Sequence, residues 1–539
     1  MSLTKVTYSM IAGESVSVAD FIPAGTNTAT TDCAAFIQAA IDSGKSVFVP
    51  AGTYRCSGIT LDNAGQIFYG EGATKTILRD AASANTVILI TAEYVTVKDL
   101  QCLCANTPTT SSVFLPVGIK ASGSSNYANI TNVHSDGFAL CIQLEAGIRS
   151  TVEKCRVNVG EFSYYGIGIT GGGEITLDNN SVFDASGDKF AGVGLIYVNN
   201  SPANVITNNY ISRGRAPGIY VDAPVASFSN NLIFISDNNI DFIYNWSIYI
   251  NNFKQVHINN NWCSCGQRWN GTAPASGANV YQGATGQIYL RDCLDFYVTN
   301  NDVYQSQGQF GGATAITPSE FSHGVRVYNS DYGIILGNTI DNSDKATLCE
   351  TGCSNIQFIG NIIGQLSGLS NQGTPMSFGF NDDGSSVGNA YLSNIINNLN
   401  APAETQSYVN IDSFTVPDVN KITAWSNLTY ETFTSTRANV SAAVETGVQG
   451  VADTNFFPVA TGKYYQVTAF LVLNSGTAPS LGVYDGANSG FDVSPTVLTA
   501  GLNVLTYKAS VTGSSAHVVL SNVAATNFSV NCKVQQISF

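Results

Sequence analysis

The chain has 539 residues, 44% of them apolar and only 11% charged, with 51 glycines and a formal net charge of −15. That length exceeds one ordinary core and points to several domains or a solenoid. The scarcity of Lys, Glu and Arg argues against a helix-rich fold, and the negative charge argues against a nucleic-acid partner. No apolar run is long enough to insert in a membrane, and Met1 to Val18 lacks the apolar stretch of a secretory signal. The first predicted element is a helix over Cys33–Asp42, where Phe36, Ile37, Ala40 and Ile41 share one face. Thr31 or Asp32 can cap its start and Gly44 its end. A strand over Ser46–Val49, a turn at Pro50–Gly52 and further strand over Thr53–Cys56 follow. A short helix laid over the open end of a solenoid would protect its core and strand edges.

From Ile67 to Asn398 the sequence repeats loosely. One unit reads β-branched, polar, Asn, any residue, apolar: Ile175–Val182, Val205–Ile211, Phe228–Ile233, Val256–Cys263, Val298–Val303, Ile334–Ile340 and Ile356–Ile363. Aligned, Asn180, Asn209, Asn231, Asn261, Asn301, Asn338 and Asn361 form one column, with separations of roughly 22 to 40 residues. Such a column satisfies buried turn backbone, a structural role. A second unit carries an outward tyrosine between inward apolar residues in Leu195–Asn199, Gly218–Asp222, Ser247–Asn251 and Gln287–Arg291, and Gly324–Tyr328 repeats it with Arg326 at that position. Two columns recurring in fixed order predict a parallel β-helix. The connections between the units vary most (Ser212–Pro217, Ile235–Trp246, Cys265–Gly286, Gln305–His323), so insertions gather on one side, where solenoids build binding surfaces.

The repeat ends near Ala401–Pro402. Strands are then expected at Tyr464–Leu473, Leu481–Tyr484, Val504–Lys508, His517–Leu520 and Asn527–Ile537, the texture of a β-sandwich. The expected division is 1–66 (cap and first rungs), 67–400 (β-helix with a glycan groove), 401–449 (β-rich linker or trimerisation segment) and 450–539 (C-terminal β-sandwich). The twelve cysteines are spread along the chain and read as buried apolar residues. Neither Cys263 with Cys265 nor Cys349 with Cys353 completes a zinc site, so no metal or cofactor is expected.

Val18–Phe21, the segment Thr31–Asp42 and the run Val47–Tyr54 together resemble a bacteriophage tailspike of the pectate-lyase-like parallel β-helix superfamily. The match is specific over Val18–Tyr54 and diffuse beyond it, and Ile22–Ala29 stands where the family has a Gly-rich stretch. The resemblance implies a homotrimer on a phage tail or baseplate that binds and cleaves a bacterial capsule or O-antigen, acting outside the cell. It also implies a carbohydrate-binding or trimer-tip role for the C-terminal sandwich. No separate virion-binding domain is visible before Val18.

Glycoside hydrolysis needs two carboxylates, about 5 Å apart for retention and about 6.5–9.5 Å apart for inversion. Asp222 is the first candidate, with Asn199 and Asn251 as column neighbours and Arg291 beyond. Nearby loops bring Asp184, Asp188, Asp237 and Asp241, although loop aspartates commonly serve turns. Arg213 and Arg215 can orient an acidic sugar, and Tyr220, Tyr249 and Trp269 can either stack on sugar rings or cover the sheet. Glu320 and His323 are further candidates in the last long loop. A nucleophilic triad is disfavoured, with four histidines and no Gly-x-Ser-x-Gly elbow, and Asp382–Gly384 reads as a solvated turn. Three functions remain open: a hydrolase with paired carboxylates, a lyase using Arg213 or Arg215 on a uronate polymer, and a non-catalytic adhesin.

Overall fold

The structure is a computed structural model that describes residues 15–364 apart from 82–84, 106–114, 146, 186–191, 225–231, 244, 265–284, 305–321 and 342–344, together with the later strands named below. Its main body is a parallel β-helix. Three short strands recur in each central rung, as in Asn204–Thr207, Tyr210–Gly214 and Ile219–Asp222. The first two kinds of strand form a 25-stranded sheet, here the long sheet, and the third kind a 12-stranded sheet, here the tyrosine sheet. Every pairing within the two is parallel and in register, so Ile196, Ile219, Ile248 and Ile288 stack as one column and Val198, Val221, Ile250 and Leu290 as another. Those side chains are fully buried and line a continuous core that includes the expected columns from the long sheet, such as Ile206 on Leu177 and Ile211 on Val182. β-branched and Leu side chains fill this narrow interior because each inward position meets its counterparts about 4.8 Å above and below.

The bend between the two strands of the long sheet is made by a residue in the left-handed region followed by a buried asparagine. Asn179, Asn208, Asp237, Asn260 and Asn300 have φ between 54° and 57°. The asparagines after them form a ladder: Asn180 Nδ2 donates to Asn209 Oδ1 at 3.0 Å, Asn209 Nδ2 to Asn238 Oδ1 at 2.9 Å and Asn238 Nδ2 to Asn261 Oδ1 at 2.9 Å. It continues through Asn301, Asn338 and Asn361 to Asn394. One member differs from expectation. Asn238, not Asn231, occupies the third position, and Asn231 lies outside the described residues. With the rung shifted accordingly, Ile235–Trp246 is not a loop; it contains the strand Asn239–Ile243.

The N-terminal helix α1 (Ala34–Ile41) buries Ile37, Ala40 and Ile41 over the first rung. Gln38 acts as a strand substitute, donating from Nε2 to Thr60 O at 3.1 Å and accepting from Thr60 N at 2.9 Å. That contact occupies the free edge of the first tyrosine-sheet strand, Ile59–Leu61. Asp32 Oδ1 accepts from Ala34 N (3.0 Å) and from Ser57 N (3.1 Å), tying the helix start to the next coil. Ten cysteines are free and buried, and no group of metal-binding side chains is found among the described residues. Burial pushes thiols such as Cys155 and Cys293 up to about 12, so they pack as inert apolar groups.

Beyond the helix, Tyr464–Ser475, Gly501–Lys508 and Asn527–Ile537 belong to a four-stranded antiparallel sheet. Ser480–Asp485, Phe491–Val497 and Ser515–Ser521 belong to a six-stranded one. Trp425–Ser426 and Arg437–Val440, from the segment expected to link, pair into these two sheets. Residues 401–424, like the Asp383–Gly384 turn, lie outside the described residues. No described helix is long and apolar enough to cross a membrane.

Candidate functional site

The tyrosine sheet turns alternate side chains outward. On its outer face Tyr197, Tyr220, Tyr249 and Tyr289 are in direct register, one per rung. Their ring centroids are 5.6, 4.9 and 4.9 Å apart, with interplanar angles falling from 36° to 14°. Below Tyr197 the same position is Gly168, and the Tyr165 ring fills the vacated space: a Cβ on Gly168 would lie 2.3 Å from it. Tyr165 therefore continues the row, 5.8 Å from Tyr197. At the other end the Arg326 guanidinium lies 4.8 Å over Tyr289 and is held by Glu350, Nε to Oε2 at 2.7 Å.

Ring faces packed against each other are not free for a ligand. Tyr220 and Tyr249 consequently offer edges and hydroxyls rather than stacking platforms. Burial, reinforced by the neighbouring Asp222 charge, pushes the Tyr197 phenol up to about 12. Burial does the same at Tyr289, with Arg326 opposing it. Both remain protonated near neutrality and act as hydrogen-bonding groups, not as bases.

Beside the tyrosines runs a second outward column: Thr170, Asn199, Asp222, Asn251, Arg291, Tyr328 and Glu350, with Glu145 at its lower end. Asp222 is fixed there by Asn251, whose Nδ2 donates to Oδ1 at 2.8 Å. Arg291 lies next above, with Nε 3.2 Å from Asp292 Oδ2, and a hydrogen bond to the Tyr249 phenol raises its pKa further. Asp222, Tyr220, Tyr249 and Arg291 are thus brought together.

The other predicted residues are not. Asp184 is fully buried at the end of Ser181–Asp184 in the long sheet. Asp237 is the left-handed residue before Asn238 and accepts from Asn260 Nδ2 at 2.6 Å, which is the turn role. Asp241, also in the long sheet, accepts from the Ser264 hydroxyl and from Phe242 N at 3.0 Å. Arg213 is exposed in Tyr210–Gly214 with φ 61°, and Arg215 follows that strand, so neither stands in the floor columns. His323 is buried, parallel to Trp246 at 6.0 Å. Asp188, Trp269 and Glu320 lie outside the described residues.

A cavity of about 460 Å³ opens at the lower end of the tyrosine row. Leu115, Leu140, Tyr164 and Tyr165 wall it, while Lys120, Gln143, Glu145, Thr170 and Asn199 give it polar sides. Lys120 Nζ sits 2.6 Å from Glu145 Oε2. Of its lining only Tyr197 and Asn199 stood out in the sequence; the strands Val117–Ala121, Leu140–Leu144 and Tyr165–Thr170 lack the column tyrosine that marks the later rungs. Among the described residues of this face three cations are each matched by an acid: Lys120 by Glu145, Arg291 by Asp292 and Arg326 by Glu350.

This geometry defines an all-β solenoid with a polar, phenol-floored groove on one sheet. Residues 117–293 match the family described as the right handed beta helix region. No curated protein matches the sequence. Among solved structures, a tailspike protein of E. coli bacteriophage HK620 in complex with pentasaccharide is similar over 98% of this chain and 94% of its own, with 15% identity and a TM-score of 0.54. DFA-IIIase from Arthrobacter chlorophenolicus A6 has 14% identity and a TM-score of 0.47, over 64% of this chain and 94% of its own. PfbA, a surface adhesin of Streptococcus pneumoniae, has 13% identity and a TM-score of 0.45, over 71% and 91%. At these identities the fold is what is shared: a right-handed parallel β-helix, the fold found in phage tailspikes.

Proposed function

We propose that the chain is a tailspike-type depolymerase that binds a bacterial surface polysaccharide, capsule or O-antigen, along the tyrosine floor and cleaves it internally by hydrolysis. We place it on a phage tail, as a homotrimer, acting outside the cell. The observation that supports hydrolysis over elimination is the charge balance among the described residues of the groove floor. A lyase must neutralise a uronate and remove a proton, yet Lys120, Arg291 and Arg326 are each paired with an acid. The floor phenols, raised to about 12 at Tyr197 and Tyr289, are poor bases near neutrality. Arg213 and Arg215, the bases that reading would use, stand outside the floor columns.

In this reading Asp222 is a catalytic carboxylate, oriented by Asn251 and flanked by phenol hydroxyls that bind sugar hydroxyls. Its nearest carboxylate in the same column is Glu145, three rungs or about 14 Å below. That exceeds the spacing of either hydrolytic geometry, so the described column does not supply the second carboxylate; Asp188, which the sequence nominates, lies outside the described residues and remains the candidate. The test is incubation with capsule and O-antigen preparations, following reducing ends and the ultraviolet absorbance of unsaturated uronate. New reducing ends without absorbance are expected, reduced about 10²–10⁴-fold by Asp222→Asn. New absorbance, or full activity in that variant, overturns the assignment. Binding of a polymer that is never shortened makes the chain an adhesin instead.

A further inference from the structure

We propose that the cavity at the lower end of the groove is a recognition pocket for a neutral sugar residue bearing a methyl group, whether on an N-acetyl or a 6-deoxy position. The inference rests on the groove being a polysaccharide site and names part of its substrate. The cavity's volume of about 460 Å³ suits one or two sugar residues and falls in the range of about 300–1,000 Å³ typical of small-ligand sites.

Its lining is two-sided. Leu115, Val117 and Leu140 with the Tyr165 ring make one side apolar. Gln143, Glu145, Thr170 and Asn199 with Lys120 make the other polar. Leu115 stands 37% exposed at this cavity, an apolar surface next to water that a ligand methyl would cover. The Tyr165 ring is held in place because Gly168 leaves it room, and any side chain at that position would push it aside. The cation of the pocket is already neutralised: Lys120 Nζ is 2.6 Å from Glu145 Oε2, with side chains 27% and 41% exposed. A donor and an acceptor side by side match adjacent sugar hydroxyls, while a carboxylate on the sugar would meet the Glu145 charge. The pocket thus selects a ring with one hydroxylated edge and one methyl-bearing edge. Burying a single methyl improves affinity by about fourfold.

The test is saturation-transfer NMR on the whole chain with four monosaccharides: N-acetylglucosamine, rhamnose, glucose and galacturonate. We expect the strongest transfer at the acetamido or C6 methyl protons, affinity about fourfold above glucose for at least one methyl-bearing sugar, and no gain for galacturonate. Comparing N-acetylglucosamine with rhamnose tells which methyl source fits. Leu115→Ser should erase the methyl advantage and Glu145→Gln should weaken neutral sugars, whereas Asn260→Gly, at a bend of the long sheet, should leave both unchanged. Equal affinity for glucose and the methyl sugars, preference for galacturonate, or methyl transfer unchanged by Leu115→Ser and Glu145→Gln overturns the proposal. The two readings separate cleanly. Polymer cleavage without methyl preference removes only the pocket, and a methyl-selective pocket on a chain that cuts nothing leaves the pocket standing and removes the depolymerase.

Discussion

Removing one rung of the asparagine ladder should destabilise the solenoid locally and measurably. Asn261 is 1% exposed and occupied on every side. Its Nδ2 donates to Ile235 O and to Asn301 Oδ1, both at 2.9 Å, and its Oδ1 accepts from Asn238 N at 3.1 Å and from Asn238 Nδ2 at 2.9 Å. Asn261→Ala strands the Ile235 carbonyl and the Asn238 amide in a site with no solvent. Each unsatisfied buried group costs about 1–3 kcal/mol, so the pair predicts a loss of about 2–6 kcal/mol. Asn260→Gly, one residue earlier, removes an exposed side chain at φ 54° and its solvent-exposed hydrogen bond to Asp237, and should stay within about 1 kcal/mol of the parent. Because rungs contact only their neighbours, hydrogen exchange is the assay of choice. Amides of Ile233–Ser236 and Asn239–Ile243 should exchange faster in Asn261→Ala, while those near α1 keep their protection. A loss below 1 kcal/mol, or exchange accelerated equally along the whole helix, would refute the idea that the ladder holds the bend rung by rung.

Three further outcomes follow from other contacts. Gly333 faces the Phe296 ring, and a Cβ there would lie 2.0 Å from it; Gly333→Ala should cost about 1–3 kcal/mol by thermal unfolding, and Phe296→Leu in the same chain should recover part of it. Burial works against the Asp32 carboxylate, but hydrogen bonds from Ser57 and Ala34 hold its pKa below the usual value of 3.8. Its contribution is therefore complete above that value and lost as pH falls through the lower folded value, so Asp32→Ala should be less stable than the parent at pH 7, with the gap closing in strong acid. Asp302 is raised by burial and by Asp341, so its ionised form is disfavoured in the folded state. Asp302→Asn should raise the melting temperature at pH 7, and that gain should vanish below the carboxylate's unfolded pKa; a gain that persists there rejects the electrostatic explanation.

The β-helix was readable because its two columns are carried by residue types that few other arrangements need, asparagine at a bend and tyrosine between inward aliphatics. The same signal misled at one rung. Both Phe228–Ile233 and Ile235–Ile240 place paired asparagines among apolar residues, and only the ladder contact between Asn209 and Asn261 selects Asn238. The place of Asp222 beside the tyrosine column was legible because its column neighbours share the tyrosine register. Asp184, Asp237 and Asp241 lie as near in sequence, but strand alternation and a left-handed turn direct them into the core, the bend and the long sheet.

The groove's charge was legible only in part. A net charge of −15 argues that an acidic polymer is repelled at long range, yet it says nothing about the surface a bound chain would touch. Lys120 meets Glu145, and Arg326 meets Glu350, across 25 and 24 residues of sequence, because adjacent rungs stack them. Two of the three described floor cations are therefore cancelled by acids that only the register reveals, and the third, Arg291, by its sequence neighbour Asp292. Long-range repulsion and local neutrality then act in the same direction, which is why the proposed reading takes an uncharged polymer and hydrolysis rather than a uronate polymer and elimination.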